Sequence, residues 1–106
     1  MSSNEPGPYR LSPRALADLD DIWRYSAETR SIEQADRYID DLVRIFELIA
    51  GLPTLAQERS EFTPPERIHV HERHLIVYTI AADHLVILRL LGGRLDWVAI
   101  LKATDV

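Results

Sequence analysis

Cysteine is absent from this 106-residue chain, and its absence removes several classes of chemistry at once. Without thiols there is no disulfide framework, no thiolate metal site and no cysteine nucleophile. Glycine and proline are scarce, at 4 and 6 residues, whereas 46% of the residues are hydrophobic. A chain of this length and composition is expected to form one domain, held together by the packing of a single core.

Long hydrophobic runs are also missing. No apolar run approaches the roughly 18 residues that a membrane span needs, and the N-terminus is short, polar and contains Pro6, Gly7 and Pro8. We therefore predict neither a membrane segment nor a secretory signal, and we expect a cytoplasmic protein. Residues 1–8 and 102–106 are expected to be tails around a single domain at residues 9–101.

Positive charge is in short supply, since 12 basic side chains face 17 acidic ones and the net charge is −5. This balance argues against strong direct binding to nucleic acid, which requires clustered cations that displace counterions. Eleven of the twelve basic residues are arginine. The planar guanidinium suits bidentate recognition of carboxylate or phosphate, although a genome rich in G and C would explain the bias equally well.

The first regular elements are predicted to be a short strand and a helix. Tyr9 to Leu11 is apolar enough for an edge strand, and Ser12-Pro13 then opens a helix, because serine caps free amides and proline tolerates the first turn. Apolar residues recur at spacings of three and four up to about Glu28. Trp23 lies on this apolar stripe and is predicted to pack in the core, whereas Tyr25 lies off it and is a better candidate for an interface.

A second helix is predicted directly after the first. Ser31 precedes Gln34 by three residues, which is the spacing of a capping box, and a clean apolar stripe follows. Gly51 and Pro53 mark its end. Because only about three residues separate the two helices, they are expected to form an antiparallel hairpin.

The second half of the chain changes to the pattern of strands. Residues 52–66 are polar and contain prolines, and they are predicted to form a loop. Strands are predicted at 67–71, 74–81 and 85–91, joined by tight hairpins, whereas residues 94–101 fit a final strand or a short helix. The strands at 74–81 and 85–91 are apolar on both faces. One helical hairpin covers only one face, so the other should be covered or form an interface.

Particular residues accompany this order of elements. They are Tyr9-Arg10-Leu11-Ser12, Ala15, Asp18 to Tyr25, Ala35 with Tyr38, Ile49 to Pro53, Ile76-Val77-Tyr78, and Ile87 to Leu91 with Arg94 and Asp96. In this order and spacing, over residues 9–101, they resemble the ParE-like toxins of the RelE/ParE superfamily, which belong to bacterial type II toxin–antitoxin systems.

The resemblance implies an α+β fold, with an N-terminal edge strand and an antiparallel two-helix hairpin packed on an antiparallel β-sheet. It also implies a hetero-oligomer in which a cognate ParD-like antitoxin occupies the cleft between sheet and helices. In ParE relatives the free toxin inhibits DNA gyrase and arrests growth, whereas in RelE relatives it cleaves mRNA on the ribosome.

The residues that RelE-type cleavage requires are largely missing. That chemistry needs groups that activate the 2′-hydroxyl, hold the phosphate and protonate the leaving oxygen. Leu75 and Ile100 stand where RelE-type chains carry an arginine and a tyrosine. Arg94 is retained, but a guanidinium cannot perform acid–base chemistry at neutral pH. The comparison implies a gyrase poison that is not an enzyme and has no catalytic residues and no cofactor.

Two alternatives stay open. The first is a ribosome-dependent mRNA endonuclease that uses Arg94 with one of His69, His71 or His74. The second is a degenerate toxin that retains only antitoxin binding, because Gly92 stands where many ParE-like chains carry a histidine.

The candidate contacts with antitoxin or target come from the first helix, the strands and the C-terminal segment. They are Tyr25, His74, Tyr78, Arg89, Arg94 and Trp97. Arg89 interrupts an apolar strand, where a cation requires a carboxylate partner. That partner is either an acidic residue of the helical hairpin or an acidic antitoxin tail.

Two groups of residues have the chemistry of metal ligands. His69 and His71 alternate on one strand, with His74 and His84 nearby, but a third ligand is not evident and surface roles are expected. The acidic run from Asp18 to Asp21 is expected to be a solvated helix face. No metal site is predicted.

Overall fold

The computed structural model describes residues 9–61, 65–82 and 84–92. The chain begins with β1 (Tyr9–Leu11), followed by two long helices, α1 (Pro13–Thr29) and α2 (Ile32–Gly51). A 3₁₀ turn at Pro53–Leu55 leads into a short strand, and three longer strands follow. These are β2 (Glu58–Arg59), β3 (Glu66–His71), β4 (His74–Ile80) and β5 (Leu85–Gly92).

Both helices begin at the serine caps that the sequence indicates. The Ser12 hydroxyl accepts a hydrogen bond from the Ala15 amide at 3.0 Å, and the Ser31 hydroxyl accepts one from the Gln34 amide at 3.1 Å. Each cap satisfies an amide that has no partner inside its helix. Only Arg30 and Ser31 separate the helices, so they pack against each other as a hairpin.

The five strands form one sheet in the order β1-β5-β4-β3-β2. The three long strands make the predicted antiparallel meander, and the predicted edge strand β1 is present. Because β1 pairs with β5 in the parallel sense, the sheet is mixed, and the helical hairpin is the connection that carries the chain away from β1. The predicted α+β fold is confirmed, with the helices on one face of the sheet.

The loop predicted at residues 52–66 contains structure that the sequence did not indicate. Glu58 and Arg59 pair with Arg67 and Glu66 and add a fifth strand, β2, at the sheet edge. A strand of two residues is too short to show an alternating pattern, so its existence depends on the neighbouring strand and not on its own composition.

The main core lies between the helices and the sheet. Its largest fully buried side chains are Tyr78, Phe46, Leu42, Ile49, Ile76 and Ile87. A smaller apolar cluster of Leu75, Val77 and Leu91 occupies the other face of the sheet, and each of these side chains is buried as well. The nearly continuous apolar pattern of β4 and β5 therefore reflects burial on both faces.

A bulge in β5 aligns the core. Tyr78 pairs with Ile87 and the preceding Val77 pairs with Arg89, which leaves Leu88 as an extra residue. Strict alternation would place Ile87 and Leu90 on opposite faces, but both belong to the core under the helices. The bulge supplies the one-residue shift that allows this, which is a common role of such features.

Neither long helix of the described residues combines the length and the apolar composition needed to cross a membrane.

Candidate partner-binding groove

An open groove of about 1060 Å³ lies where the turn between the helices approaches the β3–β4 hairpin. Its walls come from the C-terminal half of α1, the N-terminal half of α2 and the hairpin. The buried Ile22 and Leu75 are among its lining residues, and Tyr25 and Val70 stand at its margin with exposed fractions of 63% and 64%. Large exposed apolar side chains beside a groove indicate a contact surface for another molecule.

The hairpin owes its shape to a two-residue turn. Glu72 adopts φ 52°, in the left-handed region that non-glycine residues rarely use. His71 and His74 are thereby paired directly across the two strands, on the same face of the sheet. Both imidazoles point towards α2, where they meet the ring of Tyr38 at centroid distances of 6.0 and 5.4 Å.

A short hydrogen bond joins the hairpin to α2. The Tyr38 hydroxyl lies 2.6 Å from Nδ1 of His74. Burial raises the pKa of Tyr38 to about 12, with Glu72 adding to the shift, so the phenol keeps its proton. Burial and then the Arg73 charge lower the pKa of His74, so its imidazole is neutral at pH 7. The bond therefore joins two uncharged groups.

The groove brings together two of the predicted contact residues, Tyr25 and His74. Arg94 and Trp97 lie outside the described residues. The remaining two, Arg89 and Tyr78, are held inside the domain by partners of their own.

Arg89 is paired with Asp18 of α1. Its Nε donates to Asp18 Oδ2 at 2.9 Å and its Nη2 to Oδ1 at 3.3 Å, with side chains only 12% and 15% exposed. The same carboxylate accepts the Leu90 amide at 2.9 Å. Of the two alternatives for Arg89, the structure shows the internal ion pair with the helical hairpin. The expectation that Asp18 lies on a solvated face is wrong, because it is enclosed between α1 and β5.

Tyr78 is fully buried in the core. Its hydroxyl donates to the Pro53 carbonyl at 2.7 Å and accepts the Ala56 amide at 3.3 Å, while Arg67 donates to the Ala56 carbonyl at 2.6 Å. These bonds fasten the segment after α2 to the sheet. In this conformation Tyr78 is not accessible to a partner.

Trp23 occupies an intermediate position between core and surface. Its indole Nε1 donates to Asp36 Oδ1 at 2.8 Å, which ties α1 to α2 near the groove. The side chain is half-buried, so only part of the ring packs in the core as predicted.

Four further residues of the groove were not among the predicted contacts, namely Tyr38 and three arginines, Arg30, Arg37 and Arg73. Their signal is weak, because an arginine on a helix face or in a turn is usually a solvated surface residue. Only the abundance of arginine relative to lysine pointed towards them.

Histidines do not assemble a metal centre within the described ranges, where no group of three potential ligands is found. His69 and His71 share a face of β3 as predicted. Burial lowers the pKa of His69, and the neighbouring His71 contributes to the same shift.

Comparison with known proteins identifies relatives over most of the chain. The sequence profile for the ParE toxin of the type II toxin–antitoxin system parDE matches residues 9–97. Toxin ParE1 of Caulobacter vibrioides is 40% identical over 73 residues, which cover 69% of this chain and 76% of the relative. Toxin ParE1 of Mycobacterium tuberculosis strain H37Rv is 27% identical over 89 residues, covering 83% and 91%.

A solved structure shares the fold. The chromosomal ParDE TA system from P. aeruginosa contains a chain that superimposes with a TM-score of 0.70 at 20% identity, over 79% of this chain and 92% of that one.

Proposed function

Because this chain belongs to the ParE toxin family of type II toxin–antitoxin systems, we propose that it arrests growth by binding DNA gyrase and is silenced by a ParD-like antitoxin. The two proteins would form a hetero-oligomer in the cytoplasm. The match to the family over residues 9–97 is the observation that carries this proposal.

The groove supports antitoxin binding. Tyr25 and Val70 expose apolar surface at its margin, and the groove is long enough to involve α1, α2 and the β3–β4 hairpin. An extended or helical peptide that places apolar side chains at regular intervals can bury such a surface. Burying it on complex formation would explain why a soluble domain carries it.

A binding mechanism without catalysis is supported by Leu75. In the resemblance to RelE-type nucleases this position corresponds to a basic catalytic residue, and here the side chain is 6% exposed within the apolar cluster on the face opposite the helices. A leucine enclosed in this way neither binds phosphate nor transfers protons.

The direct test uses purified full-length chain and DNA gyrase. We expect it to reduce supercoiling or to raise the level of the cleaved DNA–gyrase complex, and we expect a ParD-like antitoxin encoded by an adjoining gene to reverse the effect. The matched control is toxin already saturated with that protein. An unchanged supercoiling rate and an unchanged level of cleaved complex would rule out gyrase as the target.

One observation favours a second candidate, the ribosome-dependent mRNA endonuclease. His74 and Tyr38 form a hydrogen-bonded pair beside the groove, and a histidine–tyrosine pair has groups that can transfer protons. If the nuclease is the true activity, translated mRNA is cleaved by the wild-type chain and left intact by His74→Ala, with gyrase unaffected by either.

A further inference from the structure

The arginines of the described chain divide into two sets. Most of those outside the groove have carboxylate or carbonyl partners, as Arg24, Arg44 and Arg89 illustrate. In contrast, Arg30, Arg37 and Arg73 of the groove are exposed, and their side chains form no ion pair or hydrogen bond with any described residue. Their guanidinium donors are therefore available to a ligand.

Two of the three acidic side chains of the groove have arginine partners. Asp41 pairs with Arg44 at 2.9 Å, and Asp21 lies 3.7 Å from Arg24. Neither Arg44 nor Arg24 belongs to the groove lining. Glu72 lies 3.6 Å from Nε2 of His71. Among the described residues, three guanidinium groups of the groove thus have no carboxylate partner, whereas two of its three carboxylates have guanidinium partners, in a chain whose net charge is −5.

The three arginines approach the groove from different elements. Arg30 is the C-terminal cap of α1, Arg37 lies in the second turn of α2, and Arg73 occupies the hairpin turn. The apolar margin at Tyr25 and Val70 belongs to the same groove. Its surface thus offers guanidinium donors beside apolar contact area.

We propose that this groove selects a peptide segment that combines apolar residues with glutamate or aspartate, its carboxylates binding Arg30, Arg37 and Arg73. Guanidinium and carboxylate have matching planar geometry for paired hydrogen bonds. This inference rests on the proposed function, because it assigns the chemistry of the antitoxin segment that occupies the groove.

A peptide fits better than a nucleic acid. A nucleic-acid backbone is bound through several clustered cations, whereas this groove has three arginines and, beside them, Asp21, Asp41 and Glu72. A peptide spaces its carboxylates and can keep them away from these three, while its apolar side chains cover Tyr25 and Val70.

The test measures binding of two synthetic peptides to the full-length chain. Both carry leucine at every third or fourth position, and they differ only in having glutamate or glutamine at the positions between. We expect the wild-type chain to bind the glutamate peptide about 10-fold more tightly, a preference that falls with added salt. In the variant Arg37→Gln/Arg73→Gln this preference should disappear.

The matched control is Arg10→Gln/Arg14→Gln, which changes the net charge equally but lies outside the groove lining. It should keep the preference for glutamate. Equal affinity of the wild-type chain for the two peptides overturns the proposal, as does a loss of preference in the control. The proposal is also overturned if a single-stranded oligonucleotide binds more tightly than the glutamate peptide and this binding depends on Arg37 and Arg73. Self-association of the chain that depends on the same two arginines would overturn it as well.

Binding of the adjoining gene's product separates this inference from the proposed function. If that protein binds the wild-type chain and Arg37→Gln/Arg73→Gln equally well, the antitoxin pairing stands and the acidic-peptide assignment fails. If it binds neither while the glutamate preference persists, the antitoxin pairing fails and the groove chemistry stands.

Discussion

Asp18 on α1 and Arg89 on β5, 71 positions apart in the sequence, form a two-contact ion pair that completes the edge of the sheet. β1 pairs only with the first part of β5 and ends at Leu11. Beyond it, Ser12 Oγ donates to the Leu88 carbonyl at 2.8 Å, and Asp18 accepts the Leu90 amide at 2.9 Å. The side chains of Ser12, which caps α1, and of Asp18 within α1 thus replace the hydrogen bonds that a longer parallel strand would have made.

Replacing Asp18 with alanine should strongly destabilise the domain. The change leaves a nearly buried guanidinium without its carboxylate and the Leu90 amide without an acceptor, which together cost about 3 kcal/mol in the free energy of unfolding. Urea unfolding followed by circular dichroism measures this cost. Asp20→Ala is the control, because its ion pair with Arg24 is 65% and 59% exposed, and it should cost less than about 0.5 kcal/mol.

A double-mutant cycle tests the pairing itself. Asp18→Ala combined with Arg89→Met should be less destabilised than the sum of the single changes, because removing both charges removes the penalty of an unpaired one. Additive effects would show that Asp18 acts only through the Leu90 amide.

Tyr78→Phe should lower the free energy of unfolding by about 1 to 2 kcal/mol. The change removes the hydroxyl that holds both the Pro53 carbonyl and the Ala56 amide while preserving the ring in the core. Thermal unfolding of the variant beside Tyr25→Phe provides the comparison. Tyr25 is 63% exposed, so its variant should match the wild-type chain, and equal melting of all three proteins would refute the role assigned to Tyr78.

Stability should decrease as the pH falls from about 8 to about 5 because of His74. Burial lowers the pKa of His74 in the folded state below its usual 6.5. As the pH falls, His74 therefore becomes protonated in the unfolded chain before it does so in the folded chain. The stability that neutral His74 contributes above pH 6.5 is lost as the pH falls from there towards the folded-state pKa. Melting temperature against pH measures the effect. His74→Asn, which lacks this titration, should have a flatter profile, and an identical slope would contradict the assignment.

Glu66→Gln should stabilise the protein at neutral pH. Glu66 is 6% exposed and its Oε1 is buried without a hydrogen-bond partner, and burial raises the pKa of this carboxyl. The pKa of this carboxyl is higher in the folded chain than in the unfolded chain. The ionised carboxylate therefore destabilises the folded state at a pH above the raised pKa, and this destabilisation disappears in acid, where the group is protonated in both states. We expect a gain of about 1 kcal/mol near pH 8 that shrinks as the pH falls towards 4.5. A gain of constant size would indicate that charge is not the cause.

Local patterns account for the elements that the sequence predicted well. The starts of both helices follow from Ser12 and Ser31, whose side chains bond to amides three residues later. The strands β4 and β5 follow from short apolar runs bounded by turn residues, and β3 follows from the alternation of Ile68 and Val70 with polar residues. Such signals depend on residues that are close in the chain, so they can be recognised without any knowledge of the tertiary structure. The resemblance to the family likewise rests on the order and spacing of these same elements.

Tertiary structure alone decided where the charged and polar side chains belong. The sequence by itself determined the α+β fold, its serine-capped helices and its likeness to the ParE family, because helix and strand periodicity act over a few residues. It placed Asp18 on a solvated face, whereas the fold buries it against Arg89, and it contained no sign that Tyr38 would meet His74 or that Arg30, Arg37 and Arg73 would share a groove without partners. The energy of an ion pair depends on distance and burial, and both are created only when segments far apart in the chain come together.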